Sequence, residues 1–356
     1  MLMERLTGKF HYICNETKEM DMKLALFVLT TILAACAYNA KGWERDILGD
    51  HYFMRYVTMP DDYSGKVRCT IIRKKLALTH KAILYIHGYN DYFFQKEMGD
   101  RFVGERYNFY AIDLRKYGRS IMTGQTPYEL HDVSEYFADI DAAMNQMMSD
   151  GNKSIILMGH SEGGLIAAYY LAKRRGLKYP IKAMILNSPF LDMNLSKVEE
   201  DYMLPVIAAY AKISKNTIVS NGGDNIYAKS LLKKYHGEWV FNTDWKTLIS
   251  RPITSGWLAA IYNAQDFIKK GTDIKLPILL MRSDKSVNCH GEWNPSVNCG
   301  DAVLDVNDIH KYGLKLGPQV QEFVVKDAIH DVLLSRKPVR DAVYINIFKW
   351  LNENRL

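Results

Sequence analysis

Cysteine is scarce in this chain, five in 356 residues, and no two are spaced as C-x-x-C. That excludes a disulfide-dense scaffold and leaves no structural zinc spacing. Long apolar runs are lacking too. The most extended, residues 24–37, is short for a membrane span, which excludes a polytopic membrane protein. Glycine (23) and proline (10) stay at ordinary levels without repeat or low-complexity tract, so nothing collagen-like is present. Neither charge sign dominates: 46 Lys+Arg and 40 Asp+Glu are interleaved, giving +6. A surplus this mild singles out neither nucleic acid nor an anionic membrane as partner. What the chain does have is 48% apolar and 12% aromatic residues, enough for a large core and too many for a disordered chain. Its length suits two average domains, or one large α/β domain carrying an insertion.

The apolar run follows Met22-Lys23 and ends in small residues, so residues 22–36 read as a signal peptide. Residues 1–21 make a poor n-region and read as an over-called start or a disordered extension. Leu33-Ala34-Ala35-Cys36 resembles a bacterial lipobox, in which Cys36 would be acylated. The alternatives are plain cleavage at Ala35-Cys36-Ala37 or a buried N-terminal helix. The expected location is therefore the bacterial cell envelope, as a membrane-anchored lipoprotein or a periplasmic protein.

Residues 50–59 and 66–75 alternate as strands do, around a turn at 61–65. A last strand is expected at 320–325, and from residue 82 the pattern changes to continuous apolar runs, at 82–86, 108–112, 154–158, 183–186 and 277–281. Such runs mark strands buried on both faces of a parallel sheet. Amphipathic stretches at 133–148, 165–174 and 339–351 alternate with them. The pattern predicts an α/β fold with a mostly parallel doubly wound sheet, its core in 45–190 and 275–356. Residues 191–274 break the alternation, and an excursion of about eighty residues reads as an inserted helical cap.

Gly159-His160-Ser161-Glu162-Gly163-Gly164 follows one predicted strand and opens a predicted helix. A serine at such a turn is held in a strained conformation, and glycines two residues to either side make room for it. Its hydroxyl is then a candidate nucleophile, which needs a base and an orienting carboxylate. Of ten histidines, His330 alone lies just past the last strand and before the terminal helix. Two acids compete. Asp284 follows the strand at 277–281 directly, whereas Asp301 precedes His330 by 29 residues, room for one helix and one strand. The spacing favours Asp301, with Asp284 as the alternative and Asp305 as a helix cap. For the oxyanion, the backbone N–H groups of Tyr89 and Glu162 are the candidates, since His87-Gly88-Tyr89-Asn90-Asp91 follows the first buried strand. The loop from Asp113 to Ser120 reads as structural.

These strings together resemble the α/β-hydrolase superfamily, in the branch of monoacylglycerol lipases, lysophospholipases and serine aminopeptidases, over residues 50–353. The resemblance implies an α/β-hydrolase fold, and Asp301 falls on the branch's acid position. Glu162 departs from it, standing where relatives often carry a small or neutral residue. A carboxylate there would disfavour anionic groups near the scissile carbonyl. The implied activity is a serine hydrolase of carboxylic esters, with lipid-like acyl esters as small-molecule substrates and no cofactor, metal or nucleic acid. The alternatives are a serine aminopeptidase, for which Glu199-Glu200-Asp201 would hold a substrate ammonium, and a non-catalytic lipid-binding lipoprotein. Tyr92, Phe93 and Trp257 are candidates for an acyl pocket, and Cys289 with Cys299 for a disulfide in an oxidising compartment.

Overall fold

The computed structural model describes residues 42–356 apart from 77, 175, 177, 224 and 290. The expected signal peptide and Cys36 lie outside the described residues. Eight long strands form one sheet: β1 Phe53–Asp62, β2 Gly65–Lys74, β3 Lys81–Ile86, β4 Asn108–Asp113, β5 Ser154–His160, β6 Ile181–Asn187, β7 Ile278–Ser283 and β8 Val320–Val325. Their order across the sheet is β1-β2-β4-β3-β5-β6-β7-β8. The first two strands form a hairpin, β2 also runs antiparallel to β4, and every pair from β4 to β8 is parallel.

The division follows composition. The first hairpin strand is largely open to water and the second is buried only over its middle, whereas β3, β4 and β5 are buried along almost their whole length. Helices α1 Lys96–Gly104, α2 Tyr136–Ser149 and α3 Glu162–Lys173 cross between strands. One core layer gathers Ile83, Tyr85, Phe93, Phe102, Phe109, Met158 and Ile185 with Val343, Ile347 and Trp350 of the C-terminal helix Lys337–Glu353.

Between β6 and β7 the chain leaves the sheet for some ninety residues. This segment holds α4 Leu204–Tyr210, α5 Ile226–Leu231 and α6 Ser255–Lys269, with a π-helical turn before α4. It is not all helix and loop: Ile218–Ser220 pairs antiparallel with Ile253–Thr254. That ribbon delivers Thr254 as the N-cap of α6, its hydroxyl accepting from the Trp257 amide. A second apolar cluster joins the segment to the sheet end, with Leu231, Leu232 and Phe241 against Tyr92, Phe94, Ile329 and Leu334. No described helix is long and apolar enough to cross a membrane.

Candidate active site

Strand β5 ends at His160, and α3 starts at Glu162; Ser161 between them sits at φ +52°, ψ −119°. Few non-glycine residues take positive φ. Here the neighbours leave no alternative: a Cβ on Gly163 would stand 2.3 Å from the Ile86 carbonyl oxygen, and one on Gly159 2.3 Å from that of Gly163. The turn is tied on both sides. Ser161 N–H donates to Asn187 O at 3.0 Å, and Ser161 O accepts from Gly164, Leu165 and Phe190.

The hydroxyl so presented lies 3.0 Å from His330 Nε2, and His330 Nδ1 lies 2.9 Å from Asp301 Oδ2. His330 and Asp301 are almost wholly buried, and Ser161 is 9% exposed. The other carboxylate oxygen of Asp301 accepts from the amides of Val303 and Leu304, both at 2.8 Å. A negative charge kept in the interior requires such partners. Asp301 is placed by a short backbone bridge to the end of β7: its N–H donates to Lys285 O, and Val287 N–H donates to its carbonyl. The stretch between Val287 and Asp301 is thus a loop that leaves and returns. Asp284 faces the turn after β8, accepting from the Asp327 amide at 2.8 Å, and makes no contact with His330. Asp305 caps the helix Val306–Gly313.

Tyr227, from α5, stands edge-on to His330 at 5.4 Å, and its hydroxyl accepts from the Asp331 amide. Behind the histidine, Asp331 Oδ1 accepts from Asn187 Nδ2 at 2.6 Å and from the Leu333 amide. Burial keeps His160 and His87 below the usual imidazole pKa, hence neutral near pH 7. His87 Nε2 then accepts from the Leu114 amide, pinning the loop after β3 to the loop after β4. A Cβ on Gly88 would come 3.0 Å from Ser161 Cβ, so that loop runs directly against the serine. Among the described residues, neither the Tyr89 nor the Glu162 amide donates to a protein acceptor. Loop 113–120 is structural in its bonding, with Asp113 accepting from the Phe93 and Arg119 amides and pairing with the Arg119 guanidinium.

Four expectations are corrected. Glu162 does not line the cavity: its carboxyl is buried against Tyr117, whose hydroxyl donates to Oε2 at 3.1 Å, and beside the Trp257 indole, which is too poorly aligned to give Oε1 a full hydrogen bond. Burial pushes this carboxyl up to about 7. Tyr92 and Phe93 do not line it either. Tyr92 accepts from the Asn242 amide within the second apolar cluster, and Phe93 packs into the sheet core. Cys289 and Cys299 are separate thiols, and Cys299 Sγ turns back to the Ser296 carbonyl instead of toward its expected partner. Glu199, Glu200 and Asp201 lie on the π-helical turn, away from Ser161's cavity.

The cavity at Ser161 encloses about 230 Å³. Trp257 lines it as expected, with Tyr89, Phe190, Ile253, Val303 and Leu304 as further apolar wall. Sequence reasoning missed Tyr227, Asn225 and the pair Asp91–Lys246, all on this wall. Asp91 was within reach, two residues past Tyr89 in the quoted loop; nothing in the local pattern marks the others. Among the described residues no cluster of His, Cys, Asp and Glu fits a metal ion.

The geometry has counterparts among known proteins. The chain is 14% identical to the monoglyceride lipase of Saccharomyces cerevisiae, solved with a substrate analogue, at a TM-score of 0.57 over 85% of this chain and 96% of that one. The monoacylglycerol lipase of Paleococcus ferrophilus gives 17% identity and a TM-score of 0.54, over 85% and 99%. At such identities the likeness is one of fold, the α/β-hydrolase fold. Among curated proteins, the probable lysophospholipase L2 of Haemophilus influenzae is 25% identical over 211 residues, 55% of this chain. The chain spans only 59% of the length of that relative. The AB hydrolase superfamily protein YisY of Bacillus subtilis is 23% identical over 58% of this chain and 74% of its own. Residues 78–291, from the strand before the oxyanion loop to just past β7, match the model of the serine aminopeptidase family S33. The chain belongs to that family of α/β-hydrolases.

Proposed function

We propose that this protein is an exported serine hydrolase of carboxylic esters, acting on lipid-like acyl esters of monoacylglycerol or lysophospholipid type. The observation that carries the reading is the hydrogen-bonded series Ser161–His330–Asp301, at 3.0 and 2.9 Å, opening on a cavity of about 230 Å³. Ser161 Oγ attacks the ester carbonyl as His330 Nε2 takes its proton. Asp301 holds the proton on Nδ1 and stabilises the imidazolium. The Tyr89 and Glu162 amides bind the oxyanion. His330 returns the proton to the leaving alcohol, and water, activated in turn by His330, releases the acid. The segment between β6 and β7 serves as the cap that supplies about half of the cavity wall.

The peptidase reading, which the family's name includes, gains no specific support here. The acidic turn that would hold an ammonium is off the cavity, and the carboxylate that does line it, Asp91, already faces Lys246. Export rests on the sequence of residues 22–36, with Cys36 as the lipid-modified residue. Two experiments test these proposals. Monoacylglycerols and p-nitrophenyl esters are set against aminoacyl anilides, with fluorophosphonate labelling of Ser161 as control. Esters should be turned over at least tenfold faster, and the reverse order would replace the esterase reading by the peptidase one. Cys36→Ser should move the protein from the membrane fraction to the soluble one; a protein already soluble in the wild type would remove the anchor.

A further inference from the structure

Asp91 and Lys246 are the two opposite charges on the cavity wall, and both are buried, at 2% and 5% exposure. Lys246 comes from the segment between β6 and β7, and Asp91 from the loop that carries Tyr89. Lys246 Nζ lies 3.1 Å from Asp91 Oδ1, but the alignment is too poor for Oδ1 to accept a hydrogen bond. Asp91 Oδ1 is thus a buried acceptor without a hydrogen bond, while Lys246, with three donors, lines the cavity beside it. A buried acceptor left in this state is costly, so the site is built to be completed by something that enters it.

Its place in the cavity says which part of a substrate that is. Lys246 Nζ lies 5.9 Å from the Tyr227 ring, and that ring stands against His330, the group that hands a proton to the leaving alcohol. We propose that Asp91 and Lys246 form a specificity site for the alcohol portion of the ester, selecting uncharged hydroxyl-bearing alcohols over anionic and cationic ones, which narrows the proposed function to its monoacylglycerol side, since the alcohol released from a lysophospholipid carries a phosphate. A hydroxyl can accept from Lys246 and donate to Asp91 at once, satisfying both without adding charge. A phosphate would meet Lys246 already neutralised and Asp91 repelling it. A quaternary ammonium would meet the converse. Lys246 is held in place by the strap that carries it: Thr247 N–H and Oγ1–H donate to Asn90 Oδ1, and Asn90 Nδ2 donates to Thr247 O.

The inference rests on the ester-hydrolase reading, and its test separates the two. Three esters sharing one acyl group are compared: 1-butyrylglycerol, butyryl glycerol 3-phosphate and butyrylcholine. Wild type should favour the neutral ester in kcat/KM by at least about tenfold over either charged one. Asp91→Asn should raise the phosphate ester relative to the neutral one by roughly tenfold, and Lys246→Met should do the same for the choline ester. The double variant D91N/K246M removes both charges together and should keep neither bias, which guards against a single variant that fails to fold. Fluorophosphonate labelling at the wild-type rate shows that each variant retains its catalytic centre. If labelling and neutral-ester turnover persist while the charge preferences stay put, this inference alone is overturned. If the wild type neither labels nor cleaves any of the three, it falls with the reading beneath it.

Discussion

Two regions meet at the cavity, and they are determined differently. In the turn at Ser161, a methyl group on Gly159 or Gly163 would collide with backbone 2.3 Å away, and the Ser161 amide and carbonyl are held by main-chain hydrogen bonds. In the segment between β6 and β7, Val198, Tyr202, Val206 and Ile213 are 67–86% exposed, and the grip on the sheet end comes from side chains such as Asn90, Tyr92 and Asp91. The turn fixes one serine within ångströms, which bond making requires. The segment fixes a wall, and a wall can change its residues without disturbing the attack geometry. On the proposed reading the attack rests on the turn, while selectivity is shared between the segment, through Lys246, and the loop after β3, through Asp91.

The largest effect expected is at the turn itself. Ser161→Ala should lower ester hydrolysis by about 10⁴-fold or more while leaving circular dichroism and melting unchanged, since one small polar group is lost. Activity within tenfold of wild type would end the serine-nucleophile proposal and the contrast with it. Next comes Asp301→Asn, expected to cost on the order of 10⁴ in kcat because an amide favours the wrong tautomer and cannot stabilise the imidazolium. Asp284→Asn should stay within a few-fold, its carboxylate being bonded to the Asp327 amide. Steady-state kinetics on one ester decides between them.

What was legible in the sequence follows the same divide. Strands β3 to β7 announce themselves as apolar runs, and the serine turn as glycines at fixed offsets, because both are local requirements of the backbone. The Asp301 reading needed only the length of chain that a helix and a strand consume. The wall was another matter. Tyr92 and Phe93 stand beside the oxyanion loop in sequence, yet one buttresses the segment and the other fills the core, a distinction set by contacts over a hundred residues away in the first case. Tyr227 and Lys246 carry no local mark at all. The spacing of Cys289 and Cys299 permits a bridge, but spacing says nothing of where a thiol points.

A paired stability measurement sharpens the comparison. Gly163→Ala should destabilise by about 3–5 kcal/mol or fail to fold, since the obstacle is the Ile86 backbone and not a side chain that could swing aside. Ile213→Ser, on the exposed face of the segment, should change unfolding free energy by no more than about 0.5 kcal/mol. Urea denaturation of both variants would show whether constraint is as unequal as the contacts indicate; equal losses would break the contrast.

Glu162 is the exception inside the constrained region. Its carboxyl is buried, with one oxygen bonded to Tyr117 and the other facing only the poorly aligned Trp257 indole, so burial raises its pKa from 4.5 to about 7. A carboxyl whose pKa is higher in the folded state binds more protons there than in the unfolded chain between those two values. Stability therefore falls as pH rises from about 4.5 to about 7 and levels off above, by at most ~3 kcal/mol for such a shift. Glu162→Gln cannot ionise and should lack this contribution. Whatever constant offset the amide brings, the difference in unfolding free energy between variant and wild type should swing in the variant's favour across that window, then stay level to pH 8. Other titrating groups are common to both proteins and cancel. A difference independent of pH would mean that the carboxylate finds compensation in the folded state, and that even the side chain beside the nucleophile is fully satisfied.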